Sequence, residues 1–251
     1  MYPSLFGFID TYSIAILIGV ILCLWFLSIY LQRKKFPMKA IYSLQLNAIV
    51  AILVGIITAI LFQNLYDLIA KGSEYHWTFA MTFYGGLIGG VISFLIGYFG
   101  IIRRKYFPMV KDLLIIAPAC ITIAHGFGRI GCFLAGCCYG KETDAWFGVL
   151  FPGMTQKVIP TNLFEAIFLI LLALLLLFLA LKGKGVFNFG IYMTTYGVWR
   201  FIIEFFRGDD RGSFIGSLTP SQFWSVVLFI GGIAYFIVMG VLLHKDKSKV
   251  L

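Results

Sequence analysis

Seven stretches of roughly 20 almost uncharged, apolar residues run through the chain, at about 11–31, 41–62, 79–102, 112–128, 162–181, 186–206 and 221–243. Each is the length needed to cross a bilayer as a helix, and little sequence remains between them. A chain built this way has no room for a separate soluble domain, so residues 1–251 are expected to form a single transmembrane domain. Composition agrees: 61% of the residues are hydrophobic and only 12% are charged, against about 25% charged in ordinary soluble domains. The expected fold is an all-α polytopic membrane protein.

The formal net charge of +9 suggests nucleic acid only until the charges are placed. Arg33, Lys34, Lys35 and Lys39 follow the first stretch, and Arg103, Arg104, Lys105 and Lys111 follow the third. Lys182 and Lys184 follow the fifth; Lys245, Lys247 and Lys249 follow the seventh. Basic clusters on alternate connections are a topology signal: they put those connections in the cytoplasm, with the N-terminus out and the C-terminus in. No nucleic-acid partner is implied. The first stretch lacks a basic leader and a small-residue cleavage site, and reads as a retained helix. No internal repeat is visible, which argues against an inverted-repeat transporter. The longest outer connection, 129–161, carries Trp146, Phe147, Phe151 and Pro152 with little charge, and is expected to lie along the membrane surface.

Polar residues inside such a chain are informative because each is costly at membrane depth. In the sixth stretch Tyr196, Arg200 and Glu204 recur at four-residue spacing, with Arg207 three further on. That spacing puts all four on one helical face. Arg200 and Glu204 either glue helices as an ion pair or orient a guanidinium toward an anionic substrate, and the second reading is favoured. Arg129 closes the fourth stretch with His125 one turn earlier; His125 is either structural or a general base. Glu165, near the start of the fifth stretch, reads as a partner of the helix dipole. In the third, Tyr84-Gly85-Gly86-Leu87 precedes further glycines at a spacing that means close helix packing, or backbone left bare beside a headgroup. Tyr12 sits at the outer mouth of the first stretch. All these residues fall in the outer halves of their spans. Several arginines, a carboxylate and phenols gathered there describe a pocket for a phospholipid headgroup.

Five cysteines make no even disulfide framework. Cys132, Cys137 and Cys138 do not match the usual spacing of zinc ligands, so they read as small packing residues, and no metal or other cofactor is expected. Leu134-Ala135-Gly136-Cys137 looks like a bacterial lipobox, but lies deep inside the chain and is taken as coincidence.

These motifs resemble those of the prolipoprotein diacylglyceryl transferases of bacterial membranes, over nearly the whole chain. The family's Gly-Arg-x-Gly-Asn-Phe…Gly signature is matched by Gly128-Arg129-Ile130-Gly131-Cys132-Phe133, closing at Gly140. Its Pro-x-x-Leu-Tyr-Glu element is echoed by Pro160 to Glu165, its Tyr-x-x-x-Arg-x-x-x-Glu-Phe-x-Arg helix runs from Tyr196 to Arg207, and Gln222 and Tyr12 have counterparts. Two positions depart: the family's His-Gly-Gly-Leu reads Tyr84-Gly85-Gly86-Leu87, and the signature asparagine is Cys132. The resemblance implies transfer of a diacylglyceryl group from phosphatidylglycerol to the lipobox cysteine of a prolipoprotein, with release of glycerol 1-phosphate. The site would face outward from the bacterial cytoplasmic membrane. It assigns Arg129 and Arg200 to the phosphate, Glu204 to orienting Arg200, and Tyr84 to the place of the histidine. Tyr12, Tyr196, Arg207, Gly85, Gly86, Gly140, Glu165 and His125 would line the substrate. Two alternatives stand beside this reading: the same donor pocket serving another acceptor, such as a glycan, a polyprenyl carrier or a lipid, and a lipid transporter or scaffold without catalysis.

Overall fold

A computed structural model describes residues 4–5, 9–72, 75–79, 82–102, 109–208 and 218–248. Among them are seven α-helices: α1 (Thr11–Arg33), α2 (Met38–Lys71), α3 (Phe83–Gly97), α4 (Met109–Leu134), α5 (Thr161–Leu181), α6 (Asn188–Glu204) and α7 (Pro220–Ser248). Two short antiparallel strands, Ser4–Leu5 and Ile9–Asp10, precede α1. Five helices are long and apolar enough to cross a membrane: α1, α2, α4, α5 and α7. The other two apolar stretches form shorter helices. A π-helical turn at Tyr98–Ile102 prolongs α3, and α6 has 17 residues, or about 25 Å at 1.5 Å per residue. Helices of this length and apolarity fit a multi-pass membrane protein.

The described residues group into two compact units. Leu31–Asp112 form one; Met1–Tyr30 with Leu113–Leu251 form the other. In the first unit α2 and α3 pack through small residues. A Cβ on Gly85 would lie 2.6 Å from Phe62 Cβ and one on Gly86 would lie 3.3 Å from Ala59 Cβ, so both glycines face α2. Thr58 Oγ1 donates to Gly85 O at 2.9 Å, and Asn47 Nδ2 to Phe94 O at 3.0 Å. The packing reading of this glycine motif accounts for both positions. Tyr84 is the second residue of α3, and its side chain lies outside the described set.

In the second unit, α4, α5 and α6 are tied at one end by Asn188, which is fully buried. Its Nδ2 donates to Ile115 O on α4 and Leu176 O on α5, each at 2.9 Å. Helix α7 lies on α6 where glycine lets backbones approach: a Cβ on Gly197 would sit 2.9 Å from Ser225 O.

Helix α4 runs six residues beyond the expected end of its stretch, despite Gly126, Gly128 and Gly131. What stops it is Gly136, at φ 70°. There the Cys137 amide donates to Cys132 O at 3.0 Å and the Gly136 amide to Phe133 O at 3.2 Å, the paired bonds of a Schellman cap. Arg129 therefore lies inside a helix, not at its end. The following connection is not an open loop. Isolated β-bridges join Glu142 to Val158 and Val149 to Val158 within it, and tie its Gly140 to Arg207 after α6. Phe151 is buried between Phe133 and Tyr139, while Trp146 is 92% exposed.

Candidate functional site

Glu165 is the centre of the polar cluster. Only 1% of it is exposed, and it stands in the second turn of α5, past the free amides of the helix start. It is therefore not the dipole partner that its sequence position suggests. Its partners come from two other helices. From α4, Arg129 Nε approaches Oε2 at 3.1 Å and His125 Nε2 approaches Oε1 at 4.0 Å. From α6, Tyr196 donates its hydroxyl hydrogen to Oε1 at 2.9 Å, and Arg200 Nη1 lies 3.9 Å from Oε2. The His125 ring meets Tyr196 edge-on at 5.2 Å, and Tyr192 stacks on Tyr196.

Arg200 is held from its other side. Glu204, one turn further along α6, places Oε2 2.8 Å from Nη2, and Nη2 also donates to Ser221 Oγ at 2.9 Å. Ser221 belongs to the start of α7, where Thr219-Pro220-Ser221-Gln222 forms a capping box: Gln222 N donates to Thr219 Oγ1, and Thr219 N donates to Gln222 Oε1. The Thr219 hydroxyl donates to Glu204 Oε1 at 3.0 Å. One helix start thus steadies both members of the ion pair. Ser221 and Thr219 were not singled out from the sequence, although Thr-Pro-Ser-Gln is itself a signal for a capped helix start.

Arg129 differs from Arg200 in a way that matters for binding. Its contact with Glu165 is charge to charge: the Nε hydrogen is not aimed at the carboxylate, and its Nη groups hydrogen-bond to no described residue. Its side chain is 17% exposed, so those groups are within reach of a ligand. Tyr12 lies against the next turn of α4, where a Cβ on Gly131 would come within 2.8 Å of its ring. Only glycine allows the phenol this close.

Arg207 departs from the helical face expected for it. Helix α6 ends at Glu204, the chain turns through Phe205 and Phe206, and Arg207 joins the 135–160 connection by bridging Gly140. The helical period used to align it with Tyr196 stops three residues before it. Arg207 is buried, and its Nη1 donates to Cys138 O at 3.2 Å. Gly140 is boxed in by Phe206 O, Thr161 Cγ2 and Ile159 Cβ, so it positions this crossing of chains. Beside it the Cys132 thiol, followed by Arg207, pulls the Cys138 thiol well below the usual thiol range. The structure therefore brings together His125, Arg129, Glu165, Tyr196, Arg200 and Glu204, with Tyr12, Gly140 and Arg207 on neighbouring turns. Tyr84, Gly85 and Gly86 belong to the other unit.

Comparison with known proteins gives the family. The family model for prolipoprotein diacylglyceryl transferase matches residues 4–238. The phosphatidylglycerol–prolipoprotein diacylglyceryl transferase of Clostridium tetani is 35% identical, covering 93% of this chain and 94% of its own. That of Francisella tularensis is 33% identical, covering 96% and 92%. A second such transferase, from Clostridium perfringens, is 38% identical over 61% of this chain and 60% of its own. A match this complete, on a chain whose motif residues meet around one buried carboxylate, places the protein in the prolipoprotein diacylglyceryl transferase family, a family of transferases.

Proposed function

We propose that the protein moves the diacylglyceryl group of phosphatidylglycerol onto the cysteine thiol of a prolipoprotein lipobox and releases glycerol 1-phosphate. One observation carries this reading: Glu165 gathers Arg129 and Arg200 from separate helices, while the Nη groups of Arg129 keep no hydrogen bond to described protein. In the reaction, sulfur attacks the glyceryl carbon. A C–S bond forms as the C–O bond to phosphate breaks, the thiol proton is given up to a base or water, and the phosphate departs with its glycerol. Negative charge grows on the leaving oxygen, where fixed guanidiniums stabilise it most strongly because the site is dry and already arranged.

Arg129 and Arg200 are assigned to the phosphate, and Glu165, Glu204 and Ser221 hold them in place. Tyr12, Tyr196 and Arg207 border the headgroup and leaving glycerol, and His125 is the imidazole nearest to them. An apolar cleft of about 280 Å³, lined by Phe147, Phe164, Trp199, Ile202 and Phe206 among others, suits acyl chains. The assay is purified protein with labelled phosphatidylglycerol and a lipobox peptide, products identified by mass. Glycerol phosphate should appear together with a peptide heavier by one diacylglyceryl group. No release of glycerol phosphate would overturn the reading.

Tyr84, standing where the family carries histidine, favours a second reading in which the acceptor differs. A phenol of pKa about 10 is a poor base near neutral pH. In a strain depleted of its own transferase, rescue by Tyr84→His but not by the natural sequence would place the difference in acid–base chemistry. Failure of both, with glycerol phosphate still released in vitro, would point to another acceptor. Full rescue by the natural sequence would show that histidine is dispensable here.

The accompanying orientation is N-terminus out and C-terminus in across the bacterial cytoplasmic membrane, with the site on the outer side, supported by the alternation of basic connections. A cysteine placed at Lys247 should resist a membrane-impermeant thiol reagent in intact cells and react after permeabilisation. Its modification in intact cells would reverse the orientation and move the site to the cytoplasmic side.

A further inference from the structure

The three cysteines after α4 look unrelated in sequence, at intervals of five and one. The Schellman cap changes this. Such a cap sets the third residue from the helix end against the second residue past the turn, which here are Cys132 and Cys137. It does not account for Cys138. That residue is held at φ 60°, a left-handed conformation that costs a non-glycine residue on the order of 1 kcal/mol. Three hydrogen bonds enforce the turn: Asn162 Nδ2 donates to Cys137 O at 2.7 Å, and Thr161 Oγ1 and Arg207 Nη1 donate to Cys138 O at 3.1 and 3.2 Å. As a result the Sγ atoms of all three cysteines lie within 4.8 Å of one another.

We propose that Cys132, Cys137 and Cys138 form a metal site for a thiophilic d10 cation, Cu(I) or Zn(II), bound through their three sulfurs. Sulfurs each about 2.3 Å from one ion lie about 3.8–4.0 Å from each other, so small side-chain rotations close the triangle. Thiolate ligands select Cu(I) and Zn(II) over the oxygen-seeking Mg(II) and Ca(II). Three sulfurs complete a trigonal site for Cu(I), and leave one tetrahedral position open on Zn(II). Cys137 is exposed and gives the ion a way in. The guanidinium of Arg207, fixed on the Cys138 carbonyl, offsets the negative charge of a thiolate-bound ion. Packing alone explains Cys132 and Cys137 at the cap; it does not explain a third thiol brought to the same point in a strained conformation.

The test uses full-length protein in detergent with a non-chelating reductant, titrated anaerobically in separate arms with Zn(II) and with Cu(I). Excess metal is removed by gel filtration, and the ion per chain is measured by elemental mass spectrometry. A single ion per chain is expected in the natural protein and in a Cys23→Ser, Cys120→Ser variant, whose thiols lie elsewhere on α1 and α4. It should be lost in Cys132→Ser, Cys138→Ser, and the arm that retains the ion names the metal. Cobalt(II) should add thiolate charge-transfer absorption in the natural protein and not in that double variant. Should the variants aggregate, the natural protein decides alone. Bound metal should slow alkylation of Cys132, Cys137 and Cys138 together, and a chelator should restore it. Equal metal in the natural and double-variant proteins, retention in neither arm, or unchanged alkylation would overturn the proposal. So would a disulfide between two of the three whose reduction restores no metal uptake.

Discussion

Arg129→Ala and Arg200→Ala should each lower diacylglyceryl transfer by at least about 10²–10³-fold, the usual loss when one fixed donor to a developing negative charge is removed. Both variants should still reach the membrane and purify with the natural elution profile. The two are not equivalent. Arg200 sits between two carboxylates and a serine hydroxyl, so its loss leaves Glu165 and Glu204 facing each other as well as removing a donor. Among the described residues Arg129 forms an ion pair with Glu165 alone, and Arg129→Lys is therefore the cleaner probe. It keeps the charge and loses the planar fork, so it should recover part of the donor binding but little of the turnover. Radiolabelled phosphatidylglycerol conversion measures turnover, and retention of the labelled lipid on the purified protein measures binding. Near-natural activity in both alanine variants would remove the phosphate pocket from the proposed mechanism.

Glu165→Ala is expected to have the largest effect on the protein itself. The carboxylate is buried to within 1%, and it separates guanidiniums that reach it from α4 and α6. Removing one partner of a buried ion pair typically costs about 3–5 kcal/mol, because charge is left without compensation in a poorly polarizable surrounding. Unfolding in detergent, followed by heat or by denaturing surfactant, should show that loss directly. Glu165→Gln keeps an acceptor for the Tyr196 hydroxyl and should be less destabilised, yet it should be as inactive as the alanine variant. If Glu165→Gln retained most of its activity, the carboxylate would be structural only, and the two arginines would not need its charge.

The helices were readable because a bilayer demands long apolar runs, and the chain offers little else. Their lengths were less readable. The end of α4 depends on a cap at Gly136 and not on the glycines that precede it, and Gly131 is tolerated in the helix because Tyr12 occupies the space of its missing side chain. In the site, the four-residue spacing of Tyr196, Arg200 and Glu204 correctly put them on one face, since helical periodicity is local. The role of Glu165 was not local. Its partners are more than thirty residues away in either direction, and nothing in its own neighbourhood announces them. Arg207 misled for the converse reason: the periodicity was extended past the end of the helix that justified it. The meeting of the three cysteines was not readable because ligand spacings assume particular turns, and a Schellman turn brings together a spacing that those rules do not contain.

The buried Asn188 has a consequence best seen beside the cluster at Glu165. Asn188 fastens α4 at Ile115 and α5 at Leu176, while Glu165 fastens the same three helices through Arg129 and Arg200. Between the two fastenings lie about 21 Å of α4, 16 Å of α5 and 18 Å of α6, at 1.5 Å per residue. Apolar side chains alone hold helices in a bilayer with little preference for one vertical alignment, because lipid is as good a neighbour as leucine. Two polar fastenings at unequal spacings act as a vernier. A slip of one helix by a single turn, about 5.4 Å, breaks both at once, and no other slip restores either. The alignment that brings Arg129 level with Arg200 is thus fixed from the far end of the bundle as well as by the charges themselves.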